Sequence, residues 1–322
     1  MQEQNNLPII VILGPTASGK TKLAVNVASK LNGEIISADS RQVYRGMSIG
    51  TGKDYEEYLQ FFQQNHDWPA GIEGLHLIDI VEAGDSYNVA FFQRDFQKAY
   101  QNIISRNKTP ILCGGTGMYI EAVLRNYEDT QVPISQGFRD ELSLKTDAEL
   151  ISIFQEKYFQ ENADISTRKR LIRGMEIGKW KLENVDLKKE VFNLFLNINK
   201  IVFGINIPVE IRRKRITKRL HDRLENGMIE EVKYLLESGI SAEKLIFYGL
   251  EYKFITEYLV GDLSYDEMTK RLEIAIHQFA KRQMTFFRSM ERKGIKINWL
   301  DGMLPVEDMT TQLFEGLHYE KN

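Results

Sequence analysis

The feature that most constrains the fold is a glycine-rich loop set between an apolar strand and a helix. The run Gly14–Thr21 (GPTASGKT) fits the pattern G-x-x-x-x-G-K-[ST] of a phosphate loop. Pro8–Leu13 is a short, mostly β-branched run that predicts a buried strand, and Thr21–Leu31 has the apolar spacing of a helix. Backbone N–H groups and the helix N-terminus converge on phosphate oxygens in this setting. The sequence therefore predicts a polyphosphate site formed by Gly14, Pro15, Thr16, Ala17, Ser18, Gly19, Lys20 and Thr21.

Within this loop, Lys20 supplies a full positive charge and the hydroxyl of Thr21 is placed to bind a magnesium ion. The motif does not fix the reaction, because kinases, ATPases and GTPases share it. The N-K-x-D motif with which GTPases recognise the base is absent from the sequence.

The first 124 residues are predicted to alternate between strands and helices. Further short strands are predicted at Glu34–Ala38, Leu75–Ile80 and Pro110–Cys113, and a helix at Val89–Ser105. This alternation is typical of a mainly parallel sheet covered by helices on both faces. We therefore expect an α/β fold of the P-loop NTPase type.

A second region is predicted to be entirely helical. The pattern is helical from Gly137 to Leu182, and a strand returns at Ile201–Ile207. We expect an inserted helical domain over 125–198, with residues 1–124 and 199–322 forming the core domain. A long helix at Ser264–Arg292 and a last strand at Lys296–Leu300 are predicted near the C-terminus. The apolar stripe of that helix favours core packing and consists of Met268, Leu272, Ile276, Phe279, Phe286 and Met290.

Charge is unevenly distributed along the 322 residues, whose formal net charge is −3. Taken whole, this balance argues against nucleic acid as a partner, since binders usually carry a basic footprint. Three windows, 168–181, 212–223 and 281–296, hold 19 basic and three acidic residues and thus carry +16, which leaves −19 for the remainder. The windows therefore indicate a candidate RNA-binding face.

Composition excludes several other classes of protein. A single cysteine, Cys113, excludes an internal disulfide and a cysteine-rich zinc site, and the five histidines lack metal-ligand spacing. No apolar run approaches the roughly 18 residues that a membrane span needs. The N-terminal MQEQNN lacks the basic and apolar regions of a signal peptide. We expect a cytoplasmic monomer that does not contact the membrane.

Candidate catalytic groups follow the other predicted strands. Asp39 should face the phosphate site, because ligands collect at the carboxyl ends of parallel strands. It is either a general base or an N-cap of the next turn. Thr116 lies in a glycine-rich turn and can offer a hydroxyl to a ligand. Asp79 either helps to hold magnesium or simply ends a strand, and Cys113 is interpreted as a buried apolar residue.

Several strings, in order over residues 8–300, resemble the tRNA dimethylallyltransferases, also called tRNA isopentenyltransferases. They are GPTASGKT, IISADSRQVYRGMSIGTGK, HLIDI, GGTGMYI and HQFAKRQMTFFR, of which DSRQVYRGMSIGT and AKRQMTFFR are highly specific. The resemblance implies transfer of a dimethylallyl group from dimethylallyl diphosphate to N6 of the adenosine 3′-adjacent to the anticodon in tRNA. Diphosphate is then the leaving group in the phosphate loop, and Mg²⁺ is the implied cofactor.

The resemblance also implies roles for individual residues. Asp39 matches the general base that takes the N6 proton, and Thr116 matches a contact to the substrate adenosine. Arg219, together with Lys20 and magnesium at Thr21, matches groups that stabilise the diphosphate. The anticodon stem-loop is the implied partner, because its single-stranded bases can be splayed out. Contacts to tRNA are implied for Asp39, Ser40, Arg41, Gln42, Thr116, Arg139, Lys169, Arg170, Leu171, Ile172 and Arg173.

The chain departs from the family pattern in four places. Residues 51–54 read T-G-K-D where T-A-K-P is common, and residues 173–176 read R-G-M-E instead of R-A-L-E. Residues 285–288 read T-F-F-R instead of T-W-F-R, and His277 stands where arginine is frequent. Three other functions are alternatives to a tRNA-modifying enzyme: an adenylate dimethylallyltransferase, a P-loop kinase or hydrolase, and a non-catalytic RNA-binding protein. The basic segment of the inserted region favours tRNA.

Overall fold

The computed structural model describes residues 8–63, 71–125, 127–160, 163–184 and 198–319. The chain divides into two compact units, Met1–Leu124 with Asn197–Asn322, and Arg125–Leu196. We call these the core unit and the inserted unit. The division lies within two residues of the boundaries expected from the change in sequence pattern.

A parallel sheet of six strands forms the centre of the core unit. Its strands are β1 (Ile9–Leu13), β2 (Gly33–Ser37), β3 (Leu75–His76), β4 (Thr109–Gly114), β5 (Lys200–Asn206) and β6 (Asn298–Asp301). The order across the sheet is β3-β2-β4-β1-β5-β6, and every pairing is parallel. Because β1 lies in the interior of the sheet, its side chains are at most 1% exposed. The expected α/β fold of the P-loop NTPase type is confirmed.

Helices follow most of the strands. In chain order before the inserted unit they are α1 (Lys20–Lys30), α2 (Tyr55–Leu59), α3 (Val89–Ser105) and α4 (Gly117–Leu124). The inserted unit has a 3₁₀ turn (Glu128–Gln131), α5 (Gln136–Ser143), α6 (Asp147–Lys157) and α7 (Arg168–Glu183). After β5 come α8 (Val209–Glu225), α9 (Met228–Glu237), α10 (Ala242–Phe247), α11 (Leu250–Leu259), α12 (Tyr265–Arg292) and α13 (Val306–Tyr319). No helix in the described ranges combines the length and apolarity needed to cross a bilayer.

Two apolar clusters hold the core unit together. The first packs α1 and α13 against the sheet and includes Leu23, Ile111 and Leu313, all fully buried. The second joins α8, α9, α11 and α12 to the segment that follows β2, with Val43 and Leu272 fully buried. Together they fix the ends of β1, β2 and β4 relative to α8 and α12, the elements that surround the site described below.

The apolar stripe of α12 is only partly as predicted. Met268, Leu272 and Ile276 are buried, but Phe279 is 39% exposed and Phe286 is half-buried. These two phenylalanines each precede a buried position by one residue, a rotation of about 100° around the helix. Core packing was therefore the wrong interpretation for them. The missing core positions are filled by Ala280, Gln283, Met284 and Phe287.

The strand predicted at Leu75–Ile80 is wrong beyond His76. Leu77 and Asp79 have positive φ angles of 60° and 54°, which turn the chain out of the sheet. The following backbone then bonds the segment after β2, with Ile80 N donating to Val43 O at 2.8 Å. The turn is stabilised because Asp79 accepts hydrogen bonds from the buried Lys53 ammonium and from Tyr55.

The inserted unit is helical where described, as its pattern predicted. Phe138, Phe154 and Met175 belong to its small apolar core. Gly174, a poor helix former, faces this core: a Cβ at that position would lie 3.3 Å from the Phe154 ring. The tight approach of α6 and α7 therefore accounts for a glycine that the sequence alone presents as a weakness.

Candidate active site

A cavity of about 830 Å³ opens at the carboxyl ends of β1, β2 and β4. Residues 16–21 of the phosphate loop, residues 39–42 after β2, and Thr116 after β4 line it, with side chains from α8, α11 and α12. The structure thus brings Lys20, Thr21, Asp39, Thr116 and Arg219 around one space, although they come from four separate parts of the sequence. The volume is typical of sites for small organic ligands.

The phosphate loop folds as its motif predicts. Ala17 and Gly19 take positive φ angles of 59° and 83°, and α1 begins at Lys20 directly after the turn. The Ser18 hydroxyl is buried and has no hydrogen-bond partner among the described residues. Burial lowers the pKa of the Lys20 ammonium, and the charge of Arg219 lowers it further, against the opposing effect of Cys113, Asp39 and Asp54. An anion in the cavity would offset this cost of burying the lysine charge.

Gln283 of α12 braces the phosphate loop. Its Oε1 accepts a hydrogen bond from Thr16 N, and its Nε2 donates to Gly115 O, both at 2.9 Å. One side chain thereby connects the loops that follow β1 and β4. Gln283 was not predicted as a site residue, because the charges of window 281–296 are its most prominent feature in the sequence. A polar residue in the buried stripe of α12 is the signal that would have found it.

Asp39 stabilises the turn after β2 and also lines the cavity. Its Oδ1 accepts a hydrogen bond from Arg41 N at 2.9 Å, which stabilises the turn after β2. Its Oδ2 accepts no hydrogen bond from a described residue, and the side chain lines the cavity. Thr116 supports the same turn, since its Oγ1 accepts a hydrogen bond from Ser40 N at 3.0 Å. Asp39 is therefore a fixed carboxylate with one oxygen available to a ligand.

Arg219 lies beside the phosphate loop. Its Nη1 is 3.5 Å from Thr16 Oγ1, and its Nη2 forms an ion pair with Asp54. Arg223, one helical turn further along α8, pairs with the other oxygen of Asp54 at 2.9 Å. Burial and the charge of Arg223 lower the pKa of Arg219. Arg223 and Asp54 were not predicted as site residues.

The turn that carries Asp54 is shaped around these arginines. Gly52 has a φ of 71°, a conformation that favours glycine, and a Cβ there would lie 2.5 Å from Arg223 Nη2 and displace that side chain. Glu231 holds the preceding residues by accepting hydrogen bonds from the N–H groups of Ser48 and Ile49 at 2.8 Å, and of Gly50 at 3.0 Å. The departure from T-A-K-P thus lies against the predicted diphosphate-binding arginine.

Two other candidates are structural. Asp79 is paired with Lys53 and Tyr55 and does not line the cavity, which favours the interpretation without magnesium. Burial raises the pKa of the Cys113 thiol to about 12, and its Sγ bonds Lys20 O at 3.6 Å. A thiol of this kind is a poor nucleophile, as the sequence interpretation expected.

The wall of the cavity carries an excess of positive charge. Among the described residues that line it, seven are cationic and four are acidic. The cations are Lys20, Lys22, Arg41, Arg215, Arg219, Arg223 and Lys253, and the acids are Asp39, Asp54, Glu57 and Glu251. Another part of the wall is apolar, with Ile246, Phe247 and Leu250 beside Ile276 and Phe279. The cavity therefore suits a ligand with an anionic group and an apolar group.

The residues at the phosphate loop can be tested for a fit to Mg²⁺. No cluster of three or more His, Cys, Asp or Glu side chains in the described part of the chain could hold a metal ion. Thr21 offers a hydroxyl in the first turn of α1 and lines the cavity. Mg²⁺ often takes one or two protein oxygens and completes its shell with phosphate oxygens and water. The site fits magnesium that arrives with a phosphate ligand.

The predicted tRNA-binding residues fall in both units. In the core unit, Gln42 is 8% exposed and bonds Ser37 and Gly52 O, which places its polar groups inside the protein. In the inserted unit, Leu171 is 2% exposed and belongs to the apolar core, so its side chain is not at the surface.

The predicted cations of the inserted unit are mostly paired. Arg139 forms a two-bond contact with the buried Glu176, at 2.8 and 2.9 Å, and Arg173 bonds the same carboxylate at 3.2 Å. Arg170 pairs with Asp164 at 2.7 Å. Lys169 is exposed and Ile172 is half-buried. Ser40 and Arg41 line the cavity of the core unit.

Known proteins resemble this chain along nearly its whole length. The family model described as IPP transferase matches residues 42–290, and that described as Isopentenyl transferase matches residues 7–66. The "tRNA dimethylallyltransferase 2" of Phocaeicola vulgatus is 50% identical over 312 residues, which cover 96% of this chain and 97% of that protein.

Two solved structures are also similar over almost their full length. A tRNA isopentenylpyrophosphate transferase from Bacillus halodurans has a TM-score of 0.68 at 28% identity and covers 98% of both chains. A tRNA delta(2)-isopentenylpyrophosphate transferase from Staphylococcus epidermidis has a TM-score of 0.67 at 30% identity, over 97% of this chain and 99% of that one. Both resemblances extend across the inserted unit as well as the core unit.

Proposed function

The chain belongs to the IPP transferase family and is a tRNA-modifying transferase, and we propose that its prenyl donor is dimethylallyl diphosphate. The dimethylallyl group passes to N6 of the adenosine 3′-adjacent to the anticodon, and diphosphate leaves. The observation that carries this proposal is one cavity in which Asp39 and the phosphate loop both line the wall. A base and an anion cradle within one space are what this reaction needs.

The phosphate loop and its neighbouring cations hold the diphosphate. Backbone N–H groups at the start of a helix such as α1 bind phosphate oxygens, and Lys20 and Arg219 add full charges at the cavity wall. When the allylic C–O bond breaks, its electron pair goes to the diphosphate, and negative charge grows on the leaving oxygen. Fixed cations lower the energy of that transition state without reorganising during the reaction.

Asp39 takes the proton of the attacking amino group. The N6 lone pair of adenine is delocalised into the ring, so attack on the allylic carbon needs a base within hydrogen-bond reach. Oδ1 of Asp39 is held by Arg41 N, and Oδ2 is the oxygen left to accept the N6 proton. As N6 forms its bond to carbon, the proton passes to Asp39 and the diphosphate departs. Thr116 keeps the turn of Asp39 in place through Ser40 N.

We also propose Mg²⁺ as the cofactor, held by the Thr21 hydroxyl and by oxygens of the diphosphate. Its chemistry is to neutralise the charge of the leaving diphosphate. For the tRNA substrate, we propose that Ser40 and Arg41 at the cavity and exposed cations of the inserted unit, such as Lys169, contact the anticodon stem-loop. Its target adenosine must leave the base stack to reach Asp39.

The test of this function is transfer of a labelled dimethylallyl group to an anticodon stem-loop, compared with AMP. We expect labelled RNA and release of one diphosphate per transfer. Preference for AMP would indicate an adenylate dimethylallyltransferase. Tight ATP binding with release of phosphate would indicate a kinase or hydrolase instead.

The role of Asp39 is tested with Asp39→Asn, because the asparagine Oδ1 still accepts the Arg41 N–H bond that stabilises the turn. Loss of a general base lowers the turnover rate by about 10²–10⁴-fold, and we expect the affinity for the stem-loop to remain. Asp39→Ala also loses the hydrogen bond from Arg41 N, so comparing the two variants separates the effect of the turn geometry from the effect of the missing base. An Asp39→Asn enzyme with normal turnover would refute the assignment.

A further inference from the structure

Asp54 occupies a strained position in the chain. It is the residue before α2, with φ 24° and ψ 55°, a region that favours glycine. Aspartate before a helix usually accepts a hydrogen bond from the first turn, but the Asp54 side chain makes no such bond. Instead, its two oxygens are bonded to Arg219 and Arg223 of α8. The carboxylate therefore does not cap α2 but contacts a residue 165 positions away in the sequence.

The two arginines form an anion site on the cavity wall. Both line the cavity, and Arg219 also approaches Thr16 of the phosphate loop at 3.5 Å. Burial lowers the pKa of Arg219, and the neighbouring charge of Arg223 lowers it further, so the pair gains from a bound anion. Carboxylate and phosphate oxygens both fit the fork of guanidinium donors. One pair of arginines thus faces two anions, Asp54 and the diphosphate.

Asp54 is held as an anion but not enclosed. Burial acts to raise its pKa, yet the charges of Arg219 and Arg223 outweigh burial and keep the pKa below its usual range. Its side chain is 37% exposed, compared with 15% for Arg223. Water can therefore hydrate the Asp54 carboxylate when another anion binds the arginines. The free-energy cost of displacing Asp54 from the arginines is small for this reason.

We propose that Asp54 is an internal competitor of diphosphate for Arg219 and Arg223, and that it promotes release of the diphosphate product. The inference rests on the proposed function of the cavity. When diphosphate binds, it replaces the Asp54 carboxylate on the guanidinium groups. After transfer, Asp54 returns to the arginines and lowers the affinity for the product.

The test is the affinity for inorganic diphosphate, measured by titration calorimetry on the full-length protein. Asp54→Asn removes the competing charge, and we expect diphosphate to bind about tenfold more tightly, consistent with two partly exposed ion pairs. Asp54→Gly removes the carboxylate and relieves the positive φ, so it should give the same direction of change. Equal or weaker diphosphate binding by both variants would overturn the proposal.

The matched control is Asp222→Asn on α8. Asp222 pairs with Lys218 at 2.7 Å, whereas Arg219 and Arg223 pair with Asp54, so Asp222→Asn removes one charge without removing the competitor. We expect unchanged diphosphate affinity. In steady-state assays with the stem-loop, Asp54→Asn should lower the KM for the donor and lower kcat, whereas a merely structural role would raise KM.

Failure of the inference differs from failure of the proposed function. If the wild-type protein binds no diphosphate, the proposed donor site is wrong. If the wild-type protein binds diphosphate and transfers the prenyl group, but neither Asp54→Asn nor Asp54→Gly binds diphosphate more tightly, only the role of Asp54 is refuted.

Discussion

Replacing Gln283 with leucine tests whether the phosphate loop depends on α12. The side chain is 8% exposed and forms two hydrogen bonds of 2.9 Å, from Thr16 N and to Gly115 O. Leucine has a similar size but neither donates nor accepts, so the substitution removes both bonds and leaves little empty space. Thr16 N–H and Gly115 C=O then both lose their hydrogen-bond partner, the first at the cavity wall and the second in the protein interior.

The expected magnitude follows from those surroundings. The bond to Gly115 O is buried, so an unpaired carbonyl there costs about 1–3 kcal/mol. Thr16 lines the cavity, where water can accept a hydrogen bond from its N–H. Loss of the bond from Thr16 N to Gln283 therefore costs about 0.5–1.5 kcal/mol, the net contribution of one hydrogen bond. We expect the free energy of unfolding to fall by roughly 2–4 kcal/mol. For a domain of this size, Tm should fall by roughly 4–16 °C.

The assay is urea denaturation combined with calorimetric titration of diphosphate. Gln278→Leu, at an exposed position of the same helix, is the matched control and should change neither property. Gln283→Leu should bind diphosphate more weakly, because the loop around Thr16 is no longer fixed. If Gln283→Leu matches Gln278→Leu in stability and in diphosphate binding, the bracing role is refuted.

Two further predictions concern carboxylates that are bonded to several donors. Glu231→Gln places an amide N–H₂ group against the backbone donors of residues 48–50 and should lower the free energy of unfolding by about 2–4 kcal/mol. The control in the same denaturation assay is Glu230→Gln, at the neighbouring exposed position. If the two variants are equally stable, the contact is contradicted. Burial acts to raise the pKa of Glu34, but its bonds to His76, Arg106 and Lys108 outweigh burial and hold that pKa well below 4.5. A depressed carboxyl pKa stabilises the protein above the unfolded-state pKa, and the contribution is lost as pH falls below about 4.5. Stability measured down the acid range should therefore fall more steeply in the wild type than in Glu34→Gln, and parallel curves would contradict this.

The sequence predicted what is encoded locally. The phosphate loop, β1 and α3 (Val89–Ser105) could be found because a motif or an apolar period is contained within a few consecutive residues. Asp39 and Thr116 could be placed at one edge of the sheet because parallel strands share the orientation of their carboxyl ends.

The contacts that complete the site are long-range, which is why the sequence did not indicate them. Gln283 reaches Thr16 across 267 residues, and Arg219 reaches Asp54 across 165. No period or motif pairs such positions. The strand predicted at Leu75–Ile80 failed for the same reason, since the turn at Asp79 depends on the distant Lys53. The apolar spacing favoured a strand, but the chain turns out of the sheet at Leu77 and Asp79, where Asp79 is paired with Lys53.

The basic windows show how far a charge count can be trusted. In window 168–181, the structure pairs Arg168, Arg170, Arg173, Lys179 and Lys181 with acids, which leaves Lys169 as the one cation there without an ion pair to a described residue. In window 212–223, Arg219 and Arg223 are bonded to Asp54 at the cavity. To bind a phosphate of RNA, Arg173 must leave the buried carboxylate of Glu176, and a buried carboxylate that loses its partner is costly. The charge of +16 counted from the sequence therefore includes cations that the structure places in ion pairs, and in window 212–223 part of it lies at the wall of the cavity.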